Sequence, residues 1–243
     1  MSHTANKILS QTSNRQYPLP QGKWLLYQEW HNVLMLHWKV PVPDLKALLP
    51  AGLEPDTYNG EAWVSWISFT VKNTRIRNFF PVPFCSNFEE VNLRTYVTHN
   101  GRPGIHMFAV EASKIASVLL NRLVTGIPYT KAGIERKQGL VKLLNRCKPY
   151  AANLHYCFTE PIVPKPELDY WLTERHCLYL ANNNKLYAYH IHHKEWNLND
   201  AIVSVSRLRY KIRHLTIGKH RLEKKHFSKK IKVLLWPKEL ISK

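Results

Sequence analysis

Residues 89–98 read EEVNLRTYVT, and this stretch decides the fold class. Polar and apolar side chains alternate through it without a break. Glu90, Asn92, Arg94 and Tyr96 share one face, and Val91, Leu93, Thr95 and Val97 share the other, because successive side chains of a strand point to opposite sides. Water ordinarily takes the polar face of such a strand. This face, however, combines a carboxylate, an amide, a guanidinium and a phenol, the mixture that a pocket wall needs. Asn100-Gly101 follows as a hairpin turn, since both residues tolerate the positive φ that a two-residue turn demands. GIHMFAVEA, residues 104–112, returns as the partner strand.

Strand signals continue on both sides of this hairpin. Upstream, the second half of WLLYQEWHNVLMLHWKV (24–40) and EAWVSWISFTVKNTR (61–75) are rich in β-branched and aromatic residues. A short helix is expected at 43–49, and the apolar loop FFPVPFCSNF (79–88) is expected to pack against something. Downstream, SKIASVLLNRLVT (113–125) has helical spacing. Ile115, Val118, Leu119 and Leu123 share a side, and Gly126 marks the stop. Further strands are expected at 139–147, 152–159, 176–181, 185–192, 201–211 and 232–236, with a short helical turn at 167–173. Residues 1–22 are polar and read as a flexible arm. No repeat or linker divides the rest, so 23–243 is expected to be one domain. Many antiparallel strands with one main helix predict an α+β domain built as a curved sheet or barrel.

Composition narrows the class. Of 243 residues, 44% are hydrophobic and 12% aromatic, which excludes a disordered chain. No apolar run approaches the roughly 18–20 residues of a membrane span. The first residues lack the apolar core of a secretory signal, so the reading is cytoplasmic. Cys85, Cys147, Cys157 and Cys177 lie far apart, which argues against a disulfide framework or a zinc ribbon. His190 and His192 would share one side of a strand, but no third ligand is near, so no metal is expected. No phosphate-binding loop appears, and no cofactor is expected. The net charge is +18, and residues 207–243 carry 13 Lys or Arg against 2 acidic residues, while the first 206 carry 22 against 15. That C-terminal stretch has no nucleic-acid-binding motif. It reads as a solvated basic face, or one that meets polyanions weakly and without sequence preference.

Three stretches carry a resemblance. They are LHWKVPVPDLKALLPAGLEPDTYNGEAWVS (36–65), FPVPFCSNFEEVNLRTYVTHNGRPGIHMFAVEASKIASVLLNRLVTGIPYTKAGI (80–134) and LTERHCLYLANNNKLYAYHIHHKEWNLNDA (172–201). Together they resemble the YqjF-like family of uncharacterised proteins, within the acetoacetate decarboxylase-like superfamily. The resemblance implies a closed, cone-shaped, mostly antiparallel β-barrel with an internal cavity. Decarboxylases of that superfamily carry a pocket glutamate on a strand, a glycine-bearing hairpin, a helix ending in Gly-Arg-Glu, and then Gly-Phe-Pro-Lys-Lys. The matching elements here are Glu90, Gly101 with Gly104, Arg122, and Gly126-Ile127-Pro128-Tyr129-Thr130. Both lysines are replaced. A phenol cannot form an imine, and Lys131 lacks the neighbouring ammonium that keeps a catalytic amine neutral.

The candidate ligand-binding residues are therefore Glu90, Asn92, Arg94, Arg122, Tyr129 and Lys131. One reading is a module binding a small organic molecule, with a carboxylate held by Arg94 or Arg122 through the parallel hydrogen bonds of a guanidinium. The other is a cofactor-independent enzyme using Glu90 and Tyr129 for acid–base chemistry. A third possibility is that Glu90 and Arg94 simply form an internal ion pair. Self-association is left open.

Overall fold

The computed structural model describes residues 2–80 and 86–242. The chain runs α1 (Ser2–Leu9), β1 (Leu26–Val40), α2 (Val42–Lys46), β2 (Glu54–Pro55), β3 (Thr57–Tyr58), β4 (Glu61–Ile76), β5 (Phe88–His99) and β6 (Arg102–Ala112). Then come α3 (Ile115–Thr125), β7 (Thr130–Lys131), β8 (Gly133–Lys137), β9 (Leu140–Asn145), β10 (Tyr150–Pro161) and α4 (Glu167–Thr173). The last elements are β11 (Cys177–Asn182), β12 (Lys185–His193), β13 (Asn199–Ile212), β14 (Leu215–Gly218), β15 (Leu222–Leu235) and β16 (Glu239–Ser242). The chain is mostly strand, with few helices.

Seven strands form a closed ring in the order β12, β11, β6, β5, β4, β1, β15. The ring is completed where Ile191, His192 and His193 pair with Leu235, Leu234 and Val233. Its pairings are antiparallel except for β11 on β6. Beyond β15 the sheet continues through β13, β10, β9 and β8, with β14 on the edge of β13. This extension lies over the outer faces of β1, β4 and β5, so those strands are buried on both sides.

Two cores result. Val33, Met35, Ile67, Phe69 and Tyr96 face the ring interior. Leu34, Leu36, Val64, Trp66 and Leu93 face outward against Val141, Leu154 and Tyr210 of the extension. The alternation of β5 is thus real, but neither of its faces meets water. At the β5–β6 hairpin Asn100 and Gly101 have φ of 48° and 74°, as the two-residue turn requires.

Several sequence expectations are corrected. Helix α3 buries Ser117, Val118, Asn121 and Thr125, while Ile115, Leu119 and Leu123 are 56%, 59% and 85% exposed. Its polar and small residues face the ring: Asn121 and Thr125 line the cavity, with their side chains bonded back to the Ser117 and Asn121 carbonyls of the helix itself. The arm at 1–22 contains α1, whose Ala5 and Ile8 pack on Tyr27, Leu234 and Trp236. In the loop at 79–88, Phe79 and Phe80 are exposed and Phe88 is buried; the expected packing of 81–85 lies outside the described residues. The basic stretch is strand through β14 and most of β15. Arg207, Arg209 and Lys211 alternate along β13 and are exposed. None of the helices is long and apolar enough to cross a membrane, among the described residues.

Candidate functional site

Glu90, Asn92 and Arg94 line a cavity inside the ring, together with Tyr129. The free space is about 40 Å³. One buried water needs roughly 10–15 Å³, so the cavity takes only a few heavy atoms as it stands.

At one end the Tyr129 hydroxyl donates to Glu90 Oε2 at 3.0 Å, and Asn92 Nδ2 donates to Glu90 Oε1 at 3.3 Å. Burial pushes the Glu90 carboxyl up to about 7, against the opposing pull of these two bonds. Burial, with Glu90 beside it, also pushes the Tyr129 phenol well above its ordinary value. Tyr129 reaches this place because α3 stops at Gly126, whose φ is 73°, and the chain doubles back to pair β7 with β6. Arg122 clasps that return from outside: it is exposed, and its Nε donates to the Tyr129 carbonyl at 2.6 Å. Lys131 is also exposed, with Nζ on the Ala132 carbonyl at 2.9 Å. Neither residue lines the cavity.

The other end is cationic. Arg94 is 7% exposed and makes no ion pair among the described residues, so the Glu90–Arg94 pair is not formed. Among the described residues its one hydrogen bond is a long contact, from Nη2 to the Leu172 carbonyl at 3.4 Å, and its Nε has no partner there. Beside it lies Arg175, which sequence reasoning missed. Arg175 Nη1 is bound to Asp56 Oδ2 and Nε to the Trp171 carbonyl, while Nη2 has no partner. The only sequence signal was an arginine just before a strand in LTERHCLYL; its approach to Arg94 is a tertiary fact.

The histidines divide. His190 meets Glu239 and Arg102, and His192 meets Arg15 and the Ile8 carbonyl. His193 instead lines the cavity. Ligand atoms of Glu174, His176 and His193 lie within 4.8 Å of one another. Yet Glu174 already binds Lys165 at 2.6 Å, Asn14 at 2.8 Å and the Trp196 amide at 3.0 Å. Both His176 nitrogens face backbone carbonyls. Lys165 therefore holds the cation's place, and the donor set does not fit a metal. Burial, then His193, pushes His176 down to about 2.

Residues 27–231 match the family described as an uncharacterized conserved protein, DUF2071. The chain belongs to this family. Within it, the chain is 38% identical to the uncharacterized protein YqjF of Bacillus subtilis (strain 168), over 90% of this chain and 93% of that one. Among solved structures, the acetoacetate decarboxylase of Legionella pneumophila has a TM-score of 0.59 at 13% identity, over 96% of each chain. The enduracididine biosynthesis enzyme MppR, complexed with pyruvate, has a TM-score of 0.57 at 12% identity, over 93% of each chain. Likenesses at this identity show the fold alone: the chain has the acetoacetate decarboxylase-like architecture.

Proposed function

We propose that this protein is a cytoplasmic ligand-binding protein whose ring is a closed, cone-shaped barrel holding a short monocarboxylate. The observation that carries this reading is a set of unpartnered buried atoms on residues that line the cavity. They are Arg94 Nε, Arg175 Nη2, Trp196 Nε1 and Asn92 Oδ1. Buried polar atoms are rarely left alone, because each costs about 1–3 kcal/mol. Three of these four are donors, and two belong to guanidiniums, which suit a carboxylate. Asp56 offsets Arg175, which leaves the single charge of Arg94 and favours a monoanion. The size of pyruvate, the ligand of MppR, is of the right order. Schiff-base decarboxylation is not part of the reading: among the described residues no lysine lines the cavity.

A second reading rests on Glu90 and Tyr129. A carboxyl near 7, held against a phenol and lining the cavity, can move a proton at neutral pH. Enolisation of a carbonyl acid needs nothing more than such a pair and a stabilised oxyanion.

Thermal-shift and calorimetric titration with a panel of short monocarboxylates tests the first reading. Saturable binding is expected, lost in Arg94→Met; no binding by any member refutes it. Proton–deuteron exchange next to the carbonyl of a bound keto acid, followed by NMR, tests the second. Exchange lost in Glu90→Gln supports it, and the same rate with and without protein ends it. Borohydride with acetoacetate should trap no adduct, even in Tyr129→Lys. Thr130 turns away toward Asn145, so no second lysine-like neighbour is available.

A further inference from the structure

We propose that a buried hydrogen-bond chain couples anion binding at Arg94 to the uptake of one proton by His226. This rests on the reading of Arg94 as the carboxylate site and adds its regulation. The chain runs across the ring interior. Tyr96 Oη lies 2.6 Å from Ser65 Oγ, which lies 2.6 Å from His37 Nδ1. His37 Nε2 lies 3.0 Å from His226 Nδ1. His226 Nε2 lies 3.2 Å from Asp169 Oδ1, an ion-pair contact off the line of the N–H, and Lys224 Nζ reaches the same oxygen at 2.8 Å. Tyr96, Ser65, His37, His226 and Asp169 are all sealed from water. Their strands, β5, β4, β1 and β15, are successive neighbours, and α4 supplies Asp169.

A neutral imidazole has one N–H, so the chain has two proton arrangements. With both rings neutral, His226 Nε2–H faces Asp169. His37 Nε2–H then donates to His226, Ser65 donates to His37, and Tyr96 donates to Ser65. Tyr96 has nothing left for the Leu172 carbonyl. With one added proton His226 is cationic beside Asp169, and every bond reverses. His226 Nδ1–H donates to His37, His37 Nδ1–H to Ser65, Ser65 to Tyr96, and Tyr96 to Leu172. The observed 2.9 Å from Tyr96 Oη to the Leu172 carbonyl matches this second arrangement. His37 stays neutral in both. Its imidazole is held well below its ordinary value by burial first, then by His226, Arg94 and Lys224.

The coupling runs through charge. The Leu172 carbonyl accepts from both Tyr96 and Arg94 Nη2, one on each lone pair, so the guanidinium sits at the end of the chain. A cation at His226 and the charge of Arg94 oppose each other, and an anion on Arg94 offsets that opposition. Affinity for the anion therefore rises as pH falls, by at most tenfold per pH unit for one proton. Glu90 and His193 also face the cavity and titrate, so pH dependence is compared between the wild-type chain and Tyr96→Phe, both of which keep them.

The test is NMR of the full chain labelled with ¹⁵N in histidine and arginine, from about pH 5 to about pH 9, without and with acetate. In the free protein, one transition should take His226 from cation to neutral while His37 changes from Nδ1–H to Nε2–H. Acetate should shift the Arg94 Nε signal and move that midpoint upward. In Tyr96→Phe the affinity for acetate should lose this pH dependence. A His37 that keeps one tautomer throughout overturns the chain. A midpoint unmoved while acetate shifts Arg94 overturns the coupling. Acetate that leaves Arg94 untouched, with the tautomer switch intact, overturns the carboxylate reading and the coupling with it.

Discussion

Two buried glutamates on neighbouring strands face opposite sides of the same wall. Val91 of β5 pairs with Glu111 of β6, and Glu90 pairs with Ala112, so the two carboxyls are one residue out of step. Glu90 opens on the cavity. Glu111 points into the outer core, where it accepts from the Tyr210 hydroxyl at 3.2 Å beside the stacked rings of Tyr150 and Tyr210. Burial pushes Glu90 to about 7 and Glu111 to about 8. The electrostatics are alike, and each has a tyrosine donor. What differs is the company. Glu90 shares its compartment with two guanidiniums and an amide that each keep one unpartnered atom, while Glu111 is packed among aromatic rings. Glu111 Oε1 and Trp66 Nε1 of the outer core also lack partners among the described residues, so a raised carboxyl or an unpartnered atom is no site by itself; cationic neighbours and free space make it one.

The largest way to break this comparison is Trp66→Ala. It empties the centre of the outer core and should cost about 3–5 kcal/mol by chemical denaturation. If stability barely changes, the outer core is not what holds the wall. The inner face should behave in the opposite way. Arg94→Met removes a lone buried cation, so stability should hold or rise, while carboxylate affinity falls by about 2–5 kcal/mol in a calorimetric titration. Equal loss of stability and affinity would make Arg94 a structural residue.

The pH response sharpens the contrast. A carboxyl harder to ionise in the folded chain than in the unfolded one binds more protons in the native state. Stability is then greatest below about 4.5 and falls as pH rises toward about 7 for Glu90 and about 8 for Glu111. The slope is about 1.4 kcal/mol per pH unit for each group. Glu111→Gln should flatten stability against pH and leave ligand binding alone. Glu90→Gln should change both; a cavity indifferent to it would remove Glu90 from the site. The smallest effect belongs to the exposed outer sheet. DNA or heparin binding should be weak and salt-sensitive, and alanine at Arg207, Arg209 and Lys211 should lower the salt slope by roughly one unit for each phosphate that is no longer neutralised. Selective binding at physiological salt would contradict a merely basic face.

Much of the inner wall was legible beforehand. The period-two pattern of β5 set which residues share a face, and Asn100-Gly101 set the hairpin. Gly126 set the end of α3, and the replacement of both signature lysines limited the chemistry. The orientation of α3 was not legible. Its apolar spacing named a face, but α3 turns its own Asn121 and Thr125 to the cavity and leaves Leu119 and Leu123 exposed, so packing overrode periodicity. The strands of the basic region were hidden for a similar reason. In β15, Lys229 and Lys230 are exposed while Lys224, Lys225 and Lys232 are half-buried, and the charge masks the strand.

The sequence by itself determined local geometry and chemical type: strand faces, turns, a polar row with a carboxylate and a guanidinium, and no amine in the signature position. These depend on neighbours a few residues apart, within reach of backbone sterics. Only the tertiary structure decided that both faces of β5 are covered and that Arg122 and Lys131 stay outside. Only it brought Arg175 to Arg94, and joined Tyr96, Ser65, His37, His226 and Asp169 in one chain. Those contacts span as many as 189 positions. They exist because the ring closes between β12 and β15, and no local pattern encodes where a closure will bring distant side chains together.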